Sequence, residues 1–302
     1  LAQLDVELGN AEAGVRGYRA ALTHLQAHGY ARHPLVIEIQ RSLALLYRNR
    51  GETDAALASF QRARELSEEI HGPRHPLTQA LRRHIAAVHV DQGRLREADE
   101  ELRRLHAMTL ETLGPRHRDA ASSWNSMGII AWERGDDATA VRDVAQAIAI
   151  WRENESLQIL PGGLFNYGMV LHSAGRHDEA LAALEESRRM RVATIGASHA
   201  LIGETDRMIG EVLAAKGDLE GATERFDRAV RLTRVGFGPA HPRTWFAELS
   251  MARHQTRLGR PQEALAALET LARHEGGGSE APKLRWLARG WREKAGPLPW
   301  PS

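Results

Sequence analysis

Glycines recur along this chain at positions 9, 51, 93, 135, 175, 217 and 259, separated by 42, 42, 42, 40, 42 and 42 residues. A fixed period of that length constrains the fold more than any local propensity, because each period must be one structural unit packed against its copies. The register extends past the glycines. Five residues after them stand Gly14, Ala56, Ala98, Ala140, Ala180, Ala222 and Ala264, and nine after them Tyr18, Phe60, Leu102, Val144, Leu184, Phe226 and Leu268. Seven before them stand Ala44, Ala86, Gly128, Gly168, Gly210 and Ala252, each preceded by a large apolar residue such as Leu43, Ile85 or Tyr167.

Small residues on both sides of a glycine turn let two antiparallel helices approach closely, and the large residues beside them fill the remaining space. Glycine supplies the left-handed backbone that such a turn needs. Apolar residues at three- and four-residue spacing, as in Leu43, Leu46 and Tyr47 or Ala56, Leu57, Phe60 and Ala63, give amphipathic helices. No segment alternates like a strand. A helix pair cannot bury its own apolar face, so pairs must stack, and the expected fold is an all-α solenoid of about seven antiparallel helix-turn-helix units.

A second motif punctuates the array. GPRHPLT at residues 72–78 returns as GPAHPRT at 238–244; His-Pro also stands at 33–34, and His117 and His199 match without the proline. Proline suits the first turn of a helix, where its missing N–H costs nothing, and it steers the preceding residue away from helix. The step therefore ends one helix pair and starts the next. Shared metal ligation by these histidines fails on distance: equivalent residues of stacked helices lie roughly 10 Å apart, whereas ligands sit about 2 Å from one ion. His172 and His177 are expected to lie too far apart along their helix-turn junction to act as a metal pair.

Two segments depart from the pattern. Between Gly135 and Gly175 two residues are missing, and the linker over 154–163 reads NESLQILPGG. Glycine costs about 1 kcal/mol relative to alanine inside a helix, so the next helix is expected to start late, near Leu164. The irregularity reads either as a hinge or as a deletion that a regular stack tolerates. Residues 1–273 form the array, with the first unit truncated at its N-terminal helix. Over 274–302 come a glycine-rich connector, a basic helix at 281–294 with Leu284, Leu287, Ala288 and Trp291 on one face, and an irregular tail. Such a helix suits a cap over the last unit's apolar face better than a membrane surface.

Composition limits function. Forty basic residues against 39 acidic ones give a net charge of +1, so no phosphate-backbone track is expected and no nucleic-acid partner. No apolar run approaches the roughly 18 residues that span a bilayer, so no membrane insertion is expected. Cysteine is absent, which removes disulfides and thiolate metal sites. No phosphate-binding, zinc-protease, nucleophile-elbow or redox motif is present. The reading is therefore no enzyme, no cofactor and no metal. The chain opens at Leu1 and is read as a fragment or processed product.

The large–small pair, turn glycine, alanine and aromatic resemble the tetratricopeptide repeat. The 42-residue period and the G-x-x-H-P linker resemble its kinesin-light-chain-like variant, found also in bacterial regulatory and kinase-associated arrays. The resemblance implies a right-handed superhelix whose first helices line a concave groove. Ten residues before the turn glycines stand Arg41, Arg83, Asn125 and Arg207, and nine before stand His84 and Asn166. The variant often carries Asn-Asn at these two positions to clasp an extended peptide; here only Asn125 and Asn166 remain. The three arginines instead suit a carboxylate, which a guanidinium fork binds in bidentate fashion. Glu38, Glu204 and Glu211 lie one turn from an arginine, so pairing within the helix is an equal alternative. The candidate ligand site is thus Arg41, Arg83, Asn125, Asn166 and Arg207 with Glu38, Glu211 and His84.

The implied function is a non-catalytic protein- or peptide-binding scaffold, one module of a larger bacterial regulatory protein. Its partner would carry an acidic or carboxylate-terminated segment. Two alternatives stand beside it: a signal-peptide or small-ligand sensor controlling a kinase or transcriptional regulator, and a self-association element. The expected compartment is cytoplasmic, or periplasmic if the array follows a membrane anchor.

Overall fold

The computed structural model describes residues 11–239 and 241–266. Among them it shows twelve helices, with residues 261–266 helical as well, and no strand. The first turn glycine, Gly9, and the whole 274–302 segment lie outside the described residues. By Cα packing the chain divides into two compact units, residues 1–156 and 157–302. The division falls inside the irregular linker.

Unit 1 holds α1 (Ala11–Ala27), α2 (Pro34–Asn49), α3 (Thr53–His71), α4 (Pro76–Asp91), α5 (Leu95–Leu113), α6 (Arg118–Glu133) and α7 (Asp137–Glu153). Here α2 pairs with α3, α4 with α5 and α6 with α7, while α1 is the second helix of the truncated unit. Unit 2 holds α8 (Leu160–Ser173), α9 (His177–Ile195), α10 (Ala200–Lys216), α11 (Leu219–Phe237) and α12 (Pro242–Arg257). There α8 pairs with α9 and α10 with α11, and residues 261–266 begin the helix after α12. First helices of neighbouring pairs also touch: α4 with α6, α8 with α10, and α10 with α12.

The periodic positions do what their chemistry requires. The described turn glycines all take positive φ, from 73° at Gly93 to 87° at Gly217, a region that side chains with a Cβ avoid. The small position before the turn is where helices come closest. A Cβ added at Gly168 would stand 2.4 Å from Leu184 Cγ, so only glycine admits leucine at the facing position of α9. Ala56, Phe60, Ala98, Leu102, Val144, Leu184 and Phe226 are all buried and form the seams of the pairs. Each fully buried large side chain contributes about 1.5–3 kcal/mol from its removal from water.

The linker histidines are helix caps. Nδ1 of His33, His75, His117, His199 and His241 accepts a hydrogen bond from the backbone N–H two residues on, at 3.1, 3.3, 3.1, 3.1 and 3.1 Å. Each sits in extended backbone at the N-cap of its helix, followed by proline in three cases. A side-chain acceptor at this place contributes about 1 kcal/mol. It also commits the Nδ1 lone pair locally. No cluster of three or more potential metal ligands occurs among the described residues.

The irregular linker corrects one expectation. Helix α8 starts at Leu160, not near Leu164, and takes Gly162 and Gly163 into its first turns. Pro161 is well placed there, its carbonyl accepts from Ser187 Oγ of α9 at 2.6 Å, and Leu160 and Leu164 are buried. Packing against α9 outweighs the glycine penalty. Just before, Glu155 takes φ 50°, standing where the other linkers have a glycine of positive φ.

Candidate functional site

The predicted residues fall into two groups, one in each unit. In unit 1, Arg41 and Glu38 lie on α2, Arg83 and His84 on α4, and Asn125 on α6. In unit 2, Asn166 lies on α8, and Arg207 and Glu211 on α10. All lie on first helices.

The unit 1 group is a cationic cluster around one imidazole. The His84 ring stacks on Phe60 of α3 with centroids 4.9 Å apart and planes 5° from parallel. Burial, followed by the charges of Arg48, Arg83 and Arg41, pushes its pKa down to about 4. His84 is therefore a neutral wall beside three guanidinium groups. Those groups differ in their partners. Arg41 pairs within its own helix, Nη2 lying 2.7 Å from Glu38 Oε2. Arg48 reaches across to Asp91 of α4, with Nη2 donating to Oδ1 at 3.2 Å. Arg83 makes no hydrogen bond or ion pair with a carboxylate among the described residues, and its Nη1 is buried without an acceptor. Burial pulls its pKa below the ordinary arginine value, opposed by the more distant charge of Asp119.

The two readings of the arginines thus divide residue by residue. Intrahelical pairing holds for Arg41. Arg83 is the open one. In unit 2, Glu204 is taken by Arg243 of α12 at 2.8 Å and does not pair with Arg207. Arg207 is half-buried, donates to Met208 Sδ at 3.1 Å, and is lowered in pKa chiefly by burial. Nearby, His172 and His177 correct the expectation that they lie too far apart. The turn at Gly175 folds α9 back, bringing their Nδ1 atoms to 3.2 Å, within one hydrogen bond.

Sequence reasoning missed a layer of charge between successive pairs. Asp206 of α10 is 0% exposed, and its Oδ1 accepts from Arg188 Nε at 2.7 Å and Arg225 Nη1 at 2.9 Å. Arg228 Nε lies 3.1 Å from its Oδ2 in an ion-pair contact. In unit 1, Arg82 of α4 bridges Glu68 of α3 at 2.6 Å and Glu101 of α5 at 2.8 Å. Asp206 and Arg82 share one register, eleven residues before a turn glycine, and comparing that column would have exposed both charged positions.

No described helix is long and apolar enough to cross a membrane. The tetratricopeptide-repeat description matches residues 35–108, 77–153 and 201–273, and a second profile of the same repeat matches 166–201. A curated relative, the secreted RxLR effector protein RXLR-C07 of Plasmopara halstedii, is 25% identical over 146 residues, 47% of this chain and 42% of that protein. The chain thus spans less than half the length of the curated relative it matches. Among solved structures, NprR in complex with its cognate peptide NprX superposes with a TM-score of 0.63 at 15% identity, covering 97% of this chain and 85% of that one. Nearly identical TPR-like repeats from a Podosopora anserina protein assigned as a kinesin light chain superpose with a TM-score of 0.50 at 19% identity, over 67% of this chain and 97% of that one. The matched profiles cover more than half of the sequence, in keeping with its period and paired helices: the chain belongs to the tetratricopeptide-repeat family.

Proposed function

We propose that the first-helix face of unit 1 binds an extended peptide or protein segment through a carboxylate, and that Arg83 is the residue that receives it. One observation carries this reading: Arg83 Nη1 is buried without an acceptor, beside a neutral His84, between arginines whose own charges are already matched. A buried donor without a partner costs roughly 1–3 kcal/mol, and a carboxylate arriving there regains it. Charge-assisted bidentate geometry is what guanidinium offers such a guest. The likeness in fold to NprR, whose crystal structure holds a cognate peptide, supports a peptide as the ligand class. The chain then acts by capture, as a scaffold or sensor module, without turning its ligand over.

The test uses peptides prepared in pairs, each with a free C-terminal carboxylate and as the amide. The intact chain should retain the carboxylate forms at least about tenfold more tightly, the scale of one charge-assisted contact. Arg83→Met should erase that difference while the protein stays folded. Equal capture of both forms, or an unchanged preference in folded Arg83→Met, overturns the reading.

A further inference from the structure

The ion-pair layer does not run through every interval of unit 1: on α1, α2 and α3 its positions are the uncharged Leu22, Gln40 and Ser59, and further along a carboxylate stands there without its cation. Three columns of the repeat meet between a second helix and the next pair: thirteen residues after one turn glycine, and eleven before and eight after the next. On α9, α10 and α11 these are Arg188, Asp206 and Arg225, joined by hydrogen bonds of 2.7 and 2.9 Å. On α3, α4 and α5 they are Arg64, Arg82 and Glu101, with Arg82 donating to Glu101 at 2.8 Å. On α5, α6 and α7 they are His106, Trp124 and Asp143.

Here the layer holds a carboxylate but no inner guanidinium. Asp143 is buried, and among the described residues its one hydrogen-bond and ion-pair partner is its sequence neighbour Arg142, whose Nε donates at 2.9 Å from a side chain 71% exposed. His106 is 9% exposed, and neither of its ring nitrogens has a hydrogen-bond partner. Its ring lies 4.6 Å from that of Trp124 in an edge-on arrangement. Around them is a pocket of about 380 Å³, walled by His106, Trp124, Asp143, Leu110 and Met127; Arg103 and Arg142 also line it, both largely exposed and paired with Asp99 and Asp143. Its lining comes from α5, α6 and α7, apart from the cationic cluster of α2 and α4.

The geometry points to a binding pocket for a guanidinium side chain, an arginine presented by a partner protein. The carboxylate of Asp143 supplies the counter-charge. Asp206 shows that one buried aspartate on this scaffold accepts several guanidinium groups at once. The indole of Trp124 supplies an aromatic face, on which a guanidinium plane stacks favourably. Leu110 and Met127 cover the aliphatic stem, as apolar surfaces do for arginine elsewhere. His106 stays neutral, since burial holds its pKa below the ordinary value against the pull of Asp143, and a neutral imidazole offers the guest a lone pair. The guest restores from outside the cation that Arg188 provides from within.

The test titrates Nα-acetyl-arginine amide into the intact chain while following the Trp124 indole and His106 ring resonances, with Nα-acetyl-citrulline amide as the uncharged isostere. The arginine probe should saturate at about millimolar concentration, as one side chain without a partner surface does, and the citrulline probe should bind about tenfold more weakly. Asp143→Asn should weaken the arginine probe about tenfold as well. His106→Arg, which installs the residue of the sister positions, should abolish binding, and it keeps the test decisive if Asp143→Asn fails to fold. Equal binding of citrulline, no saturable shift with arginine, or undiminished binding in His106→Arg overturns the assignment.

Discussion

Asp206 in unit 2 and Arg83 in unit 1 are both charged groups drawn into a helical array, and they are treated in opposite ways. Asp206 is surrounded: three arginines from two helices converge on it, and none of its surface reaches water. Arg83 is left with a buried nitrogen and no acceptor, in company with further arginines. Both sit on first helices, one residue apart in register, so the repeat geometry does not explain the difference. Neighbouring columns do. Residues flanking Asp206 complete an ion network within the protein, whereas those flanking Arg83 are matched with one another. A charge satisfied internally holds the stack together; a charge left open is stability withheld for a partner.

The strongest way to break this comparison is to remove the satisfied charge. Asp206→Ala leaves Arg188, Arg225 and Arg228 facing one another around an empty place, and breaking a buried pair in this way costs about 3–5 kcal/mol. Asp143→Ala removes a carboxylate whose ion-pair partner, Arg142, is exposed, and should cost about 1 kcal/mol or less. Amide hydrogen exchange reads both losses, in α10 for the first and in α6 and α7 for the second. Equal losses at the two sites would mean that the network around Asp206 contributes nothing beyond an ordinary surface pair.

The next effect is a pH dependence confined to the open side. His84 titrates near 6.5 when unfolded and at about 4 when folded, because burial and then Arg48, Arg83 and Arg41 oppose its charging. A depressed folded pKa means that the unfolded chain binds more protons in between. Stability is therefore full above pH 6.5 and falls as the pH drops to about 4, by a total on the order of 3 kcal/mol. Burial lowers the pKa of the buried His106 and His254 and of the half-buried His172 too, and these act in the same direction. Urea unfolding at pH 7.5 and pH 4.5 should show the loss in the native chain and a smaller loss in His84→Gln. An identical pH profile in the two would remove His84 from the account.

The fold was legible because its constraints are local and repeated. Positive φ at Gly51 or Gly135 follows from a short turn alone, and Pro34, Pro76 and Pro242 mark helix starts whatever packs on them. The linker histidines were legible as punctuation, but their capping role needs the Nδ1-to-backbone geometry seen at His75 and Leu77. What escaped depends on three elements meeting. The start of α8 at Leu160 rests on α9 holding Pro161, which local propensity does not register. The split between paired Arg41 and open Arg83 depends on rotamers and on neighbours forty residues away. Column-wise comparison would have found Arg82, Asp206 and Trp124 at one register, which is where sequence reading had most left to give.

The smallest effect has the opposite sign and sharpens the comparison most. Arg83→Met keeps the aliphatic stem against the helix and removes the guanidinium with its unmatched Nη1. Deleting an unsatisfied buried polar group in favour of an apolar one of similar length is close to neutral or stabilising, so the variant should gain up to about 1 kcal/mol. It also takes one positive charge away from His84, which should raise that imidazole's pKa and narrow the pH window described above. If open charge is held for a ligand, the variant should be more stable and yet lose its preference for carboxylate peptides. A clear loss of stability would show instead that Arg83 is matched within the protein, as Asp206 is, and that its place on the first-helix face is structural.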